Sequence, residues 1–370
     1  MNYNLVATCM LGIEGLLAKE MKFLSFEDVK AENGRVKFCG DDEAVAYANI
    51  FLSMAERILI NLAEFEARDF NTLFDNIKKI PFEKYIGEHD AFPVVGYSID
   101  SELHSIPNCQ SIIKKAIVTR LNHAYKKDWF KETGAQVKIR FSIIKNKVLV
   151  GIDTSGDGLY KRGYRAHSMQ APIKETLASA ICSLARIFPD SVIIDPCCGS
   201  GTLLIEAALK AKNMAPGINR KFAAESFSFI NKDSFKNARL EALKRINHNI
   251  TFKAVGYDIS EEAVKLTLEN AKKAGVSELV KAYVGDIKDF VLPKCRLKII
   301  TNPPYGERLL DIKQAEEIYK IMGKKFTEEK GKGYFIISTD DDFERFFGRV
   351  ATKKHKLYNG MLKGNLYMFF

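Results

Sequence analysis

The sequence has no apolar run near the roughly 18 residues that a membrane-spanning helix needs, and Met1 to Met10 holds no basic segment leading into a long apolar one. Export and membrane spanning are disfavoured, and a cytoplasmic location is expected. The seven cysteines (Cys9, Cys39, Cys109, Cys182, Cys197, Cys198, Cys295) are odd in number and include no Cys-X-X-Cys pair. Reduced thiols are therefore expected rather than a disulfide framework or a zinc ribbon. The six histidines (His89, His104, His123, His167, His248, His355) show no paired ligand spacing, so no metal site is expected. With 24 Gly, 10 Pro and no internal repeat, collagen-like, low-complexity and solenoid architectures are excluded as well. What is present is ordinary globular composition, 46% hydrophobic and 28% charged over 370 residues, enough for two or three domains.

The net charge of +10 is unevenly placed. Residues 1–100 carry 10 basic and 17 acidic residues, whereas residues 101–150 carry 10 basic and 3 acidic. Lys114, Lys115, Arg120, Lys126 and Lys127 fall in that basic block, and residues 161–370 add 36 basic against 24 acidic. A positive field of this kind favours a polyanionic partner, because each neutralised phosphate releases counterions.

Tyr3 to Ala7, Ile13 to Phe23 and Arg35 to Phe38 read as strand, helix and strand, the last after the Asn33-Gly34 turn. A helix from Asp42 to about Ser53, a strand from Arg57 to about Phe65 and a helix from Leu73 to Ile80 follow. Phe92 to Asp100 reads as a strand entering a basic helix near Ser111 to Tyr125, and Gln136 to Phe141 and Lys147 to Asp153 alternate as strands. Gly156-Asp-Gly158 and the polar run through Arg162-Gly163-Tyr164-Arg165 mark a boundary or hinge. Beyond it, apolar strands (Val192 to Ile194, Ala254 to Tyr257, Ala282 to Val284, Lys298 to Thr301, Tyr334 to Ser338) alternate with helical stretches such as Thr202 to Lys212 and Glu261 to Ala274. That grammar predicts an α/β fold with a parallel sheet whose ligands lie at the carboxyl ends of its strands. Lys356 to Phe370 predicts an antiparallel hairpin at the sheet edge.

The strongest motif is Val192-Ile-Ile-Asp195-Pro196-Cys197-Cys198-Gly199-Ser200-Gly201-Thr202, a buried strand breaking into a glycine turn that opens a helix. Two glycines let the backbone pass close to a ligand, and Asp195 sets a carboxylate at the strand tip. It is neither a P-loop, since no Gly-Lys-Ser/Thr follows, nor a full Gly-X-Gly-X-X-Gly. Later strands end in Gly256-Tyr257-Asp258-Ile259, in Gly285-Asp286-Ile287 and in Thr301-Asn302-Pro303-Pro304-Tyr305. A lone Asp at a strand end is usually a helix cap, but three acids and Asn302 at successive strand ends point to one ligand-binding edge.

This order of motifs resembles the class I S-adenosylmethionine-dependent methyltransferases that modify exocyclic amino groups of nucleic-acid bases. Lys161 to Arg165 and Gln170 to Glu175 are similar to the segment preceding the methylase fold in THUMP-containing RNA methyltransferases. The resemblance is nearest to the bacterial 23S rRNA guanine-N2 methyltransferases, whose members are often labelled adenine-specific DNA methylases. It implies a ferredoxin-like part at residues 1–55, a THUMP RNA-binding domain at 56–155, a linker at 156–170 and a Rossmann-like methyltransferase domain at 171–370. It further implies that Asp195, Pro196, Cys197, Gly199, Ser200, Gly201 and Thr202 hold the methionine part of S-adenosylmethionine. Asp258 with Ile259 would hold the ribose, and Asp286 with Ile287 the adenine. Asn302 and the Pro303 carbonyl, on the rigid Pro303-Pro304 loop, would accept hydrogen bonds from the target amine, with Tyr305 stacking on the base. Structured RNA would be gripped by Lys114, Lys115, Arg120, Lys126, Lys127, Arg162 and Arg165.

These roles make chemical sense. The exocyclic amine of guanine delocalises its lone pair into the ring, and two acceptors that polarise its N–H bonds localise electron density on nitrogen. In-line positioning supplies most of what remains, about 7–11 kcal/mol in favourable cases. A base inside a helix cannot reach such a pocket, so it is expected to be unstacked or flipped. The expected function is formation of N2-methylguanosine in 23S rRNA. A tRNA guanine-N2 enzyme, a DNA adenine-N6 enzyme and a non-catalytic RNA-binding assembly factor are the alternatives.

Overall fold

The computed structural model describes residues 1–127, 129–165, 173–304, 312–359 and 362–370, the side chains of 359 and 362 excepted. Its strands form two seven-stranded sheets.

The first sheet contains β1 (Tyr3–Thr8), β2 (Glu27–Glu32), β3 (Arg35–Gly40), β4 (Arg57–Glu66), β5 (Val94–Ile99), β6 (Ile139–Ile144) and β7 (Lys147–Asp153), in the order β2-β3-β1-β4-β7-β6-β5. Helices α1 (Glu14–Phe23), α2 (Asp42–Phe51), α3 (Phe70–Lys78) and α4 (Ile106–Tyr125) accompany it. Asp41 opens α2 by accepting from the amides of Glu43 and Ala44, and Asp69 opens α3 by accepting from Thr72. These caps satisfy helix N–H groups that have no partner within the helix. The expected boundary at 55/56 falls inside a continuous sheet, since β4 pairs with β1 on one side and with β7 on the other. Two elements differ from expectation. β2 is an exposed edge strand with no apolar alternation, and α4 opens at Ile106, where Pro107 occupies the first turn.

The second sheet contains β8 (Val192–Asp195), β9 (Lys253–Asp258), β10 (Val280–Val284), β11 (Leu297–Thr301), β12 (Lys332–Ser338), β13 (Lys353–Asn359) and β14 (Leu362–Phe369). Its order is β10-β9-β8-β11-β12-β14-β13; the first five are parallel, while β14 runs antiparallel to both β12 and β13. Helices α5 (Glu175–Leu184), α6 (Thr202–Ala211), α7 (Lys232–Lys244), α8 (Glu261–Lys273), α9 (Ile312–Lys325) and α10 (Phe343–Phe347) flank it. Every residue of β12 is buried, as a central strand covered on both faces requires. This is the Rossmann-like class I methyltransferase architecture with its antiparallel hairpin, preceded by an α+β module.

The two halves share one apolar core that runs from Leu5 and Ile58 through Ile181 and Leu204. The Arg245 guanidinium lies over the rings of Tyr47 and Phe51 at 5.3 and 5.2 Å, tying α7 to α2. Phe222 and Phe227 are buried, and Phe229 meets Tyr85 edge to face at 5.2 Å. The aromatic run at 222–229 is therefore packing between the halves. The expected hinge is tied down at 156–165: Leu159, Arg162 and Tyr164 are all buried. Among the described residues no helix is long and apolar enough to cross a membrane.

Candidate active site

The predicted cofactor residues converge at the carboxyl ends of β8 and β9. Asp195 pairs with Gly256 in the sheet, where a Cβ on Gly256 would lie 2.8 Å from the Cys198 sulfur and 2.7 Å from Leu204. Only glycine lets the turn pack this closely against β9. Pro196 and Ser200 are buried, and the Cys197 amide donates to Asp195 at 3.1 Å. Gly199 has φ +53°, and no described residue lies within 4 Å of where its Cβ would stand, while Gly201 has φ +77° at the entrance to α6, where a Cβ would meet Thr267 at 2.6 Å. Both lie in the left-handed region that favours glycine.

The turn is held from the neighbouring elements. Asp258 accepts from the Gly199 amide at 2.9 Å and from Ser260 at 3.0 Å. From α8, Thr267 donates to the Gly199 carbonyl at 2.8 Å and Asn270 to the Ser200 carbonyl at 3.0 Å. Neither Thr267 nor Asn270 was foreseen. Their signal was two polar residues, three apart, inside the buried stripe of α8. Further along the edge, Asp286 follows β10 and caps the Lys288 amide at 2.9 Å, with Ile287 buried and Ile259 72% exposed. Asn302 and Pro304 are half-buried and Pro303 is buried directly after β11; Tyr305 lies outside the described residues.

Asp195 is almost wholly buried, and burial lifts its carboxyl to about 7. The Thr301 hydroxyl and the Cys197 amide oppose the rise, and the Asp258 carboxylate adds to it. Among the described residues no cation offsets the rise. Behind the turn lies a buried ionic cluster. Tyr164 donates to Glu206 at 3.1 Å, Arg162 stands 3.6 Å from Glu206, and Arg165 donates to Thr202 at 3.0 Å and stands 3.3 Å from Glu175. Burial lifts Glu206 to about 7 despite Arg162.

The expected RNA-contacting side chains divide. Arg162 is buried and donates to the carbonyls of Leu159 and Ser53, so it is not available to a phosphate; this corrects the expectation. A short, dense basic segment reads as surface in sequence, and only the fold reveals the buried Glu206 beneath it. Arg165 is likewise committed, to Thr202, Glu175 and the Ile173 carbonyl. Lys114 is paired with Glu132, Arg120 with Glu83 and Lys127 with Glu88. Lys115 and Lys126 are exposed without a carboxylate partner among the described residues.

The strand order, the glycine turn after the first parallel strand and the acids at the next two strand ends define a class I methyltransferase domain. Residues 162–368 match the methyltransferase domain of the RMKL-like family, residues 4–59 the RlmL ferredoxin-like domain and residues 67–153 the THUMP domain. The chain belongs to this RMKL-like methyltransferase family. It is 42% identical over 370 residues to YpsC of Bacillus subtilis strain 168, a candidate RNA methyltransferase, covering 100% of this chain and 96% of YpsC. It is 30% identical over 361 residues to the ribosomal RNA large subunit methyltransferase K/L of Psychromonas ingrahamii, covering 95% of this chain and 48% of that protein. The chain thus spans about half the length of that K/L enzyme. The crystal structure of SMU.472, a candidate methyltransferase complexed with SAH, superposes with a TM-score of 0.93 at 42% identity, covering 100% of this chain and 98% of that one.

Proposed function

We propose that the chain is an S-adenosylmethionine-dependent RNA methyltransferase that forms N2-methylguanosine in 23S rRNA. The observation that carries this reading is the carboxyl edge of the second sheet. There the Gly199 to Gly201 turn, Asp258 and the Asn302-Pro303 loop follow neighbouring strands β8, β9 and β11. The residues present fit the cofactor. Among the described residues Asp195 is a buried acid with no cation among the groups that shift it, and the ammonium group of a methionine would supply one. The space beside Gly199 admits a ligand close to the backbone, and the Asp258 carboxylate keeps lone pairs for a ribose diol.

S-Adenosylmethionine supplies an activated methyl on its sulfonium. The chain's own residues then orient the acceptor. The Asn302 side-chain carbonyl and the Pro303 backbone carbonyl would accept hydrogen bonds from the two amine N–H groups and aim the nitrogen lone pair at the methyl. The carbon–sulfur bond breaks as the carbon–nitrogen bond forms, S-adenosylhomocysteine leaves and one amine proton passes to solvent. Tyr305 replaces the stacking lost by the flipped base. RNA as substrate is supported by the THUMP match and by the names of the relatives. Lys115 and Lys126 serve as phosphate contacts on α4 and at its end, and a cytoplasmic location goes with this reading.

Asn302→Ala tests the assignment. Methyl transfer to large-subunit rRNA falls by a hundredfold or more, in line with the loss of oriented catalytic groups, while RNA and S-adenosylhomocysteine binding stay at wild-type strength. Turnover near wild type would remove Asn302 from the reaction, whereas absence of methyl transfer by the wild-type chain to rRNA, tRNA and DNA alike would return it to the class of RNA-binding assembly factors.

A further inference from the structure

One surface on the catalytic edge is left without a role. By strand register, Lys354, Lys356 and Tyr358 alternate along one side of β13, opposite Tyr367, Asn365 and Lys363 of β14. Tyr367 packs on Phe343 of α10 at 4.4 Å, so this is the side that α9 and α10 cover. Lys354 is used there, paired with Glu344. Beyond those helices the hairpin continues. Asn365 pairs with Ser338 at the carboxyl end of β12, so Tyr358 and Lys363 stand past the end of that strand. Lys356 and Lys363 are exposed, neither has a carboxylate partner among the described residues, and the Lys356 ammonium sits 5.9 Å from the Tyr358 ring.

This tip is close to the proposed target loop. Thr301, the residue before Asn302, pairs with Ile336 of β12, and Ser338 lies two residues farther along. Three strand spacings of ~4.8 Å across the sheet and about four residues of ~3.3 Å along it put Tyr358 roughly 20 Å from Thr301, within reach of nucleotides flanking a flipped base. The base of the hairpin is fixed by the N-terminal module. The His355 ring meets the Gly12 carbonyl at 2.8 Å, and a Cβ on Gly12 would lie 2.6 Å from the Lys356 carbonyl. Glu14 pins that loop by accepting from the Gly12 and Gly34 amides at 3.0 and 2.8 Å. On these rungs the half-buried Tyr358 ring stands between Lys356 and Lys363, neither of which has a carboxylate partner among the described residues.

We infer that the described rungs of the β13–β14 hairpin at Lys356, Tyr358 and Lys363 receive the unpaired RNA nucleotides that flank the target base, with Tyr358 stacking on a base and Lys356 and Lys363 as phosphate contacts. This deepens the RNA methyltransferase reading and rests on it. Flipping a base unstacks its neighbours, and an aromatic face accepts any exposed base, while lysines flanking it neutralise the backbone.

The test measures affinity for stripped large-subunit rRNA over a salt series, with kcat and KM for methyl transfer, in Tyr358→Ala, Tyr358→Phe and the double variant Lys356→Ala/Lys363→Ala. Tyr358→Ala weakens RNA binding and raises KM about tenfold or more, and Tyr358→Phe restores both. The double lysine variant flattens the dependence of log affinity on log salt by about 2. S-Adenosylhomocysteine affinity and the thermal midpoint stay at wild-type values in all three, which separates the effect from misfolding. Wild-type RNA affinity in both Tyr358→Ala and the double variant, with rRNA methylated normally, overturns the hairpin role and leaves the proposed activity standing. Label that enters only DNA overturns both.

Discussion

The Asp258 carboxylate accepts a hydrogen bond from the Gly199 amide at 2.9 Å, so the acid at the end of β9 holds the glycine turn that follows β8. One residue thereby shapes the turn and faces the ligand-binding edge. Asp258→Ala removes both functions at once and is expected to weaken S-adenosylhomocysteine binding by about a hundredfold, since a charge-assisted hydrogen bond contributes roughly 1.5–3 kcal/mol and a ligand contact is lost with it. Calorimetric titration reads this directly. An unchanged affinity would remove Asp258 from the site.

The two glycines of the turn are expected to fail differently. At Gly201, with φ +77°, an added Cβ meets Thr267 at 2.6 Å, so Gly201→Ala costs about 2–3 kcal/mol and lowers the unfolding midpoint. At Gly199 nothing among the described residues lies within 4 Å of an added Cβ. Gly199→Ala then costs only the ~1–2 kcal/mol of left-handed backbone strain, yet the methyl enters the space reserved for the ligand. Denaturant melts with and without S-adenosylhomocysteine distinguish the two: Gly201→Ala loses stability in the free protein, and Gly199→Ala loses mainly the stabilisation by ligand.

Burial raises Asp195 and Glu206 each to about 7, whereas an unfolded carboxyl titrates near ~4. The folded state therefore binds more protons than the unfolded one. The stability of the free protein falls as pH rises from about 4 to 7 through these groups, and levels off above. Cofactor binding runs the other way. A cationic ammonium beside Asp195 favours its carboxylate, so affinity rises with pH up to about 7 and binding below that pH releases a proton. Titrations in buffers of different ionisation enthalpy count that proton, and Asp195→Asn abolishes the release. Affinity independent of pH between 5.5 and 8 would show that Asp195 does not face the ammonium.

Arg162 and Glu206 each have only 3% of the side chain exposed. Arg162→Ala leaves Glu206 buried without its cation, together with the Ser53 and Leu159 carbonyls, and is expected to cost about 3–5 kcal/mol. Adding Glu206→Gln recovers part of it. RNA affinity of the folded fraction remains at the wild-type level, whereas a phosphate contact would show the reverse pattern in a filter-binding assay.

Legibility in the sequence followed burial. Strands β8, β11 and β12 read clearly because both their faces are largely covered, as in the fully buried β12. The placement of Asp195, Asp258 and Asn302 at strand ends and of Gly199 and Gly201 in the turn between β8 and α6 was readable because backbone geometry constrains those positions. β2 was not readable: Glu27 to Glu32 is charged and exposed, and it is a strand only because β3 supplies hydrogen bonds along one edge. The same holds for Thr267 and Asn270, whose partners are backbone carbonyls some 68 and 70 residues away. Arg162 misled for the converse reason, since its local neighbours are polar and its carboxylate partner is on another element.

The most direct measurement is tritium transfer from labelled S-adenosylmethionine to stripped large-subunit rRNA, total tRNA and genomic DNA in parallel, followed by nucleoside digestion of each product. The account predicts label in the rRNA lane as N2-methylguanosine, lost in Asn302→Ala. Label found solely as N6-methyladenine in DNA would contradict it.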